Sequence, residues 1–190
     1  MKVIKGIFKN RPLSVPPNIR AVSLRVKKSL FDVIKDEIED KTVLDLFGGS
    51  GSLGIEALSL EAEKAVFVDI SRASVKTIHK NLSSLKLLPK GDVILKDVFK
   101  AIKDFFLKNI VFDIVFLDPP YYKGLARKTL QALNEYDILS PRGLIVITCY
   151  YKDSLENSYK NFSRIFFRNY GQTRVLIYRN NEESTLSGHI

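Results

Sequence analysis

Val43-Leu44-Asp45-Leu46-Phe47-Gly48-Gly49-Ser50-Gly51-Ser52-Leu53-Gly54 reads as a buried strand, a glycine-rich turn and the opening of a helix. Five residues that are apolar but for Asp45 suit a strand covered on both faces, and the glycines permit a tight turn. The helix runs to about Leu60, and the pattern then repeats. Apolar runs at 65–68, 92–95, 112–117 and 144–148 read as further strands. Between them lie helical stretches, one opening at Ser71 with Val75, Ile78, Leu82 and Leu85 on one face, one after Asp97 to about Leu107, and one near 126–136. Strands alternating with helices specify an α/β fold, an open and mostly parallel sheet with helices on both faces. A weaker helix is expected at 153–159, and strands at 162–167 and 173–178 flank Gly171 as an antiparallel pair, making seven strands.

Upstream, residues 1–19 read as a small basic arm or hairpin, with a strand expected at 3–8 and Pro12, Pro16 and Pro17 interrupting regular structure after it. A helix is expected over 20–38, with Val22, Val26, Leu30 and Val33 on its apolar stripe. The main domain spans 20–179, and 180–190 is a polar tail expected to be flexible. The chain of 190 residues carries a net charge of +9, and eight positive charges, with no acid, precede Asp32. They are Lys2, Lys5, Lys9, Arg11, Arg20, Arg25, Lys27 and Lys28, so the remainder nets only +1. A one-sided basic patch fits a polyanionic partner. No apolar stretch reaches the ~18 residues of a membrane span, and one cysteine, Cys149, excludes internal disulfides and cysteine-rich zinc sites. A cytoplasmic monomer with no bound metal is the expectation.

In such a sheet ligands sit beyond the carboxyl ends of the strands, and Asp45, Asp69, Asp97 and Asp118 all lie at or near such ends. Gly49 to Gly54 satisfies G-x-G-x-x-G, with Asp69 20 residues after Gly49. That pattern alone fits NAD, FAD or S-adenosylmethionine. Asp45 discriminates, because a diphosphate would meet its charge while a sulfonium cofactor with an ammonium group is favoured by it. Asp69 can accept from ribose hydroxyls and Asp97 from an adenine amine. No P-loop exists, a nucleophile elbow fails at Ser52, and with only His79 and His189 a histidine triad or a metal cluster is hard to build.

Asp118-Pro119-Pro120-Tyr121 follows the strand at 112–117. Two prolines cannot extend the sheet, so the chain leaves it as a stiff lip. The lip offers a carboxylate, a proline carbonyl and an aromatic face, which suit a planar target bearing an NH2 group. Carboxylate and carbonyl accept its two N–H bonds, and the base stacks on Tyr121.

The glycine stretch with Ile55-Glu56-Ala57-Leu58, then Phe67-Val68-Asp69, Asp97-Val98-Phe99, the lip and Arg168-Asn169-Tyr170-Gly171-Gln172-Thr173 resemble one family closely. It is the RsmD family of small-subunit ribosomal RNA guanine-N2 methyltransferases, within the Rossmann-like class I S-adenosylmethionine-dependent methyltransferases. The resemblance covers roughly 20–179. It implies methylation of a guanine N2 amine, with Asp118, Pro119, Pro120 and Tyr121 as the catalytic lip. The cofactor set it implies is Asp45, Phe47, Gly49, Ser50, Gly51, Gly54, Asp69, Ile70, Asp97, Val98, Phe99 and Asp118. Lys5, Lys9, Arg11, Arg20, Arg25 and Tyr122 are then candidates for ribosomal RNA, free or in a small-subunit assembly intermediate. The chain departs where the family usually has arginine-proline-threonine and this sequence reads Arg20-Ala21-Val22-Ser23, and where the family often has glutamate in place of Asp69.

Other readings remain open from sequence. The lip also occurs in DNA adenine and cytosine amino methyltransferases. Protein glutamine methylation is disfavoured because that resembling family carries asparagine in place of Asp118. An NAD-dependent oxidoreductase would use the glycine loop and leave the lip idle. A non-catalytic RNA-binding domain would leave the acid rim idle.

Overall fold

The protein is described by a computed structural model covering residues 1–17, 22–121 and 124–181. Arg20, Tyr122 and all but the first two residues of the expected tail lie outside the described residues. Seven strands form one sheet: β1 (Thr42–Leu46), β2 (Lys64–Asp69), β3 (Gly91–Leu95), β4 (Phe112–Leu117), β5 (Leu139–Tyr150), β6 (Phe162–Tyr170) and β7 (Thr173–Asn180). Their spatial order is β3-β2-β1-β4-β5-β7-β6. The first five run parallel, and β7 pairs antiparallel with both β5 and β6. Helices α1 (Leu24–Ile34), α2 (Ser52–Ser59), α3 (Arg72–Ser84), α4 (Val98–Leu107) and α5 (Leu125–Glu135) cover its two faces. This is the expected α/β architecture, an open and mostly parallel sheet with helices on both faces.

Side chains alternate across each strand, so the sheet feeds two cores. Val43, Phe67, Phe116 and Val146 point towards α1, α2 and α3, while Leu44, Val68, Leu117 and Ile147 point towards α4 and α5. α2 packs tightly on β2 because residue 54 is glycine, where a Cβ would overlap the Phe67 ring. Gly54→Ala is therefore expected to cost about 1–3 kcal/mol by overpacking, despite alanine's better helix propensity. Urea denaturation checks this, and an unchanged midpoint would contradict it.

Four local expectations differ. α1 begins at Leu24, capped by Ser23, and ends at Ile34 before a 3-10 turn at Lys35–Glu37, instead of spanning 20–38. Its buried stripe is Val26, Lys27, Leu30, Phe31 and Ile34, and Val33 is 43% exposed. Phe31 fixes that rotation by packing on Phe116, with ring centroids 5.7 Å apart. No helix forms at 153–159. There, Tyr159 donates its N–H to the Phe162 carbonyl, Glu156 accepts from the Tyr178 hydroxyl, and Asn157 accepts from Arg164 N–H. Those bonds to β6 and β7 replace an intrahelical ladder. Pro141, Arg142 and Gly143 lie inside β5, accommodated by a register shift against β4 with Arg142 at φ +60°.

The arm makes one isolated bridge, Lys2 to Pro12, and no strand at 3–8. Its N–H groups find a carboxylate instead. Ile4 and Lys5 donate to Glu56 Oε1 at 2.9 and 2.6 Å, and Ile7 donates to the Ser59 carbonyl at 2.9 Å. Val3 and Leu13 are buried in the core shared with α1 and α2.

Candidate active site

The chain leaves β1 towards β2 and β3, then returns to place β4 on the other side of β1. At that switch point the carboxyl ends of neighbouring strands part and leave a crevice. A cleft of about 810 Å³ opens there. Its floor comes from Phe47 and Gly49 after β1, one wall from Asp69, Ile70, Ser71 and Ser74, and a second from Asp97, Val98 and Phe99. The lip residues Asp118, Pro119, Pro120 and Tyr121 close the far side together with Thr148 and Tyr170, Gln172 and Thr173. Phe47 holds a left-handed backbone, φ +63°, at the point where the strand turns into the loop. Such backbone strain in a non-glycine residue concentrates at working sites.

The four rim acids are held differently. Asp69 Oδ2 accepts from Gly49 N–H at 2.8 Å and its Oδ1 accepts from Ser71 N–H at 2.8 Å, so one carboxylate ties the glycine loop to the start of α3. Asp97 caps α4, accepting from Phe99 and Lys100 N–H at 3.1 Å each. Asp118 Oδ1 accepts from the Thr148 hydroxyl. Asp45 is 2% exposed and accepts from Gly54 N–H at 3.0 Å. It lines a side cavity of about 30 Å³ that shares Val22, Phe47, Gly49 and Asp118 with the cleft. Burial pushes its carboxyl up to about 8; the Gly54 N–H opposes this, and the charges of Asp118 and Asp69 add to it.

Eight of the expected cofactor positions line the cleft: Phe47, Gly49, Asp69, Ile70, Asp97, Val98, Phe99 and Asp118. Asp45 and Ser50 line only the side cavity. Gly51 and Gly54 line neither; Gly51 caps α2 with φ +74°, and Gly54 supports the helix. Lys9, Arg11 and Arg25 of the expected RNA set are exposed. Lys5 is instead paired with Asp32 at 2.5 Å. Lys27, counted in the same basic stretch, is fully buried against Glu56 at 2.6 Å. Among the described residues no group of acids, histidines and cysteines is disposed to hold a metal ion, and no helix is long and apolar enough to cross a membrane.

Sequence reading missed Ser74, Thr148 and the Tyr170–Thr173 turn as cleft residues. Thr148 carried no local signal, since it closes an apolar run. The turn was visible as part of a resembling segment, but its place came only with β7 pairing to β5.

A seven-stranded sheet in this order, with a glycine loop and an acid rim at its switch point, defines a class I methyltransferase. A family model described as "Conserved hypothetical protein 95" matches residues 1–179, and the chain belongs to this family, that of the RsmD methyltransferases. "Ribosomal RNA small subunit methyltransferase D" of Haemophilus influenzae is 35% identical over 77% of this chain and 77% of its own length. The protein of the same name from Escherichia coli K12 is 31% identical over 94% of this chain and 89% of its own length. The solved structure of yhhF from Escherichia coli superposes with a TM-score of 0.83 at 30% identity, covering 96% of this chain and 99% of that one.

Proposed function

We propose that this chain transfers a methyl group from S-adenosylmethionine to the exocyclic N2 amine of a guanine in small-subunit ribosomal RNA. The observation that carries it is the lip, an amine-accepting carboxylate and a stacking ring standing on the same cleft as the glycine loop. The names of the relatives, small-subunit ribosomal RNA methyltransferases, supply the substrate class.

The residues present fit the cofactor. Among the described residues the cleft is lined by three carboxylates and by no lysine, arginine or histidine. A dianionic diphosphate would stand there uncompensated, whereas a sulfonium with an ammonium group is matched. Asp69 would hold the ribose hydroxyls, Asp97 the adenine amine, and Asp45 the ammonium group through the side cavity. When bound, the cofactor supplies an electrophilic methyl group.

The amine's lone pair is delocalised into the base, so the nitrogen is a weak nucleophile until it pyramidalises. Asp118 and the Pro119 carbonyl, accepting its two N–H bonds, favour that geometry and stabilise the positive charge that develops on nitrogen. Tyr121 stacks the base and sets the line of attack. Its hydroxyl is fixed by Thr173 Oγ1 at 2.8 Å, and its ring lies 6.1 Å from that of Tyr150. A paired guanine must first be flipped out of its stack. The proton leaves after transfer, so Asp118 acts as an acceptor and need not be a strong base. The exposed cations Lys9, Arg11 and Arg25 contact phosphates, which makes RNA binding fall with salt.

Labelled methyl transfer to unmodified small-subunit RNA, free and assembled, tests the reading. Binding of NADH in place of S-adenosylmethionine would overturn it.

Asp45 gives a pH signature. A cationic ligand favours its ionised form, so cofactor binding lowers a carboxyl pKa that stands at about 8 and releases a proton. Affinity is expected to rise as pH increases from 6 through about 8 and then level off, and Asp45→Asn to flatten the profile. In the unliganded protein the sign is the reverse. The folded state holds a proton on Asp45 that the unfolded state has lost, so stability falls as pH rises from about 4 through about 8. Calorimetry across that range checks both slopes, and a flat wild-type affinity would contradict the role given to Asp45.

A further inference from the structure

The lip is tied at both ends to the neighbouring strands β5 and β7. At one end the Thr148 hydroxyl donates to Asp118 Oδ1, and at the other the Tyr121 hydroxyl donates to Thr173 Oγ1. Thr148 stands in β5 and Thr173 opens β7; the register pairs Thr148 with Val175 and Tyr150 with Thr173. Both threonines therefore point to the same side of the sheet, two residues apart along the pairing. Thr148 is 1% exposed and Thr173 9%, so neither hydroxyl is an incidental surface group.

Proline fixes the lip's backbone at 119 and 120, but it does not fix the side-chain torsions of Asp118 or Tyr121. The orientation of a carboxylate about its two side-chain bonds depends on the groups that donate to it. A β-branched donor has few rotamers of its own, so a bond from Thr148 to Oδ1 sets the plane of the carboxylate and the direction of Oδ2. The Thr173 bond does the same for the Tyr121 ring. We propose that Thr148 and Thr173 are positioning residues for amine methylation, Thr148 by orienting the Asp118 acceptor and Thr173 by fixing the stacking ring. The inference rests on the proposed function and adds how the lip acquires its geometry.

The two roles separate in kinetics. Carboxylate orientation matters most as charge develops on nitrogen, so its loss lowers kcat; ring orientation holds the base already in the ground state, so its loss raises KM. Thr148→Val removes the hydroxyl and keeps the shape. It is expected to lower kcat about tenfold or more, with KM for RNA, the Kd for S-adenosylmethionine and the melting temperature little changed. Thr148→Ser restores the donor and is expected to return kcat to within about threefold of wild type. Thr173→Val is expected to raise KM for RNA about threefold and to leave kcat nearer to wild type.

Full kcat in Thr148→Val, or equal loss in the valine and serine variants, would overturn the role of Thr148. An unchanged KM in Thr173→Val would overturn that of Thr173. Asp118→Ala, run beside them, separates the two levels. Retained transfer in that variant refutes the reading of the lip itself, and the positioning role falls with it. Loss of transfer there with a normal Thr148→Val refutes only the positioning role.

Discussion

Asp118→Ala is expected to lower single-turnover methyl transfer to RNA by about 10²–10³-fold, the scale measured for removing one preorganised group that faces developing charge. The carboxylate is placed by three constraints that act together. β4 delivers it at the carboxyl end of the sheet beside β1, two prolines prevent the chain from continuing, and Thr148 fixes one of its oxygens. None of these is lost in the variant except the acceptor itself, so the fold is expected to persist. Cofactor affinity should fall much less than the transfer rate, because Asp118 is one of three carboxylates on the cleft and Asp69 and Asp97 stand on the opposite walls. The relief of negative charge beside Asp45 also makes that buried carboxyl easier to ionise. Asp118→Asn keeps one oxygen acceptor and is expected to fall between wild type and alanine. A rate within tenfold of wild type for Asp118→Ala would remove the lip from the chemistry.

Glu56→Gln is expected to cost about 3–5 kcal/mol of stability, the penalty for breaking one side of a buried ion pair. Lys27 and Glu56 are both fully buried, 2.6 Å apart, and Lys27 also donates to Ser52 Oγ at 2.7 Å. Glu56 further accepts from the N–H groups of Ile4 and Lys5. The pair thus joins α1, α2 and the arm at one point, and glutamine removes the carboxylate that faces the ammonium directly, leaving the more weakly acting Asp45. Burial holds the Lys27 pKa below its ordinary value, with Glu56 opposing that shift. Without the carboxylate it falls further. The unfolded state then binds more protons than the folded state up to the ordinary lysine range, so stability rises with pH. The deficit of the variant should shrink as pH is raised from 7 to about 9.5. Urea denaturation at both pH values measures it, and a deficit below about 1 kcal/mol at pH 7 would show the pair to be solvated.

Much of this architecture was legible because its strands are buried on both faces and so appear as short apolar runs. The run at 43–47, the glycines after it and the prolines at 119 and 120 mark where the chain leaves the sheet, and they located the cleft and the glycine loop and lip that border it. Charge misled in two places. Lys27 looked like a solvent residue and displaced the reading of the α1 stripe, because its partner Glu56 lies 29 residues away in sequence. Lys5 looked available to RNA and is paired with Asp32. Cleft residues that arrive by non-local antiparallel pairing were also hidden. Nothing in the neighbourhood of Thr148 foretells that β7 will bring Thr173 to the same lip, and the helix expected at 153–159 failed because β6 and β7 claim its backbone groups.

The decisive observable is the identity of the methylated nucleoside. Unmodified small-subunit RNA, free and partly assembled, is incubated with the protein and S-adenosylmethionine carrying a tritiated methyl group, then digested and separated into nucleosides. Label is expected in N2-methylguanosine and is expected to disappear with Asp118→Ala; label in a methylated adenine or cytosine, or transfer that survives Asp118→Ala, would overturn the proposed function.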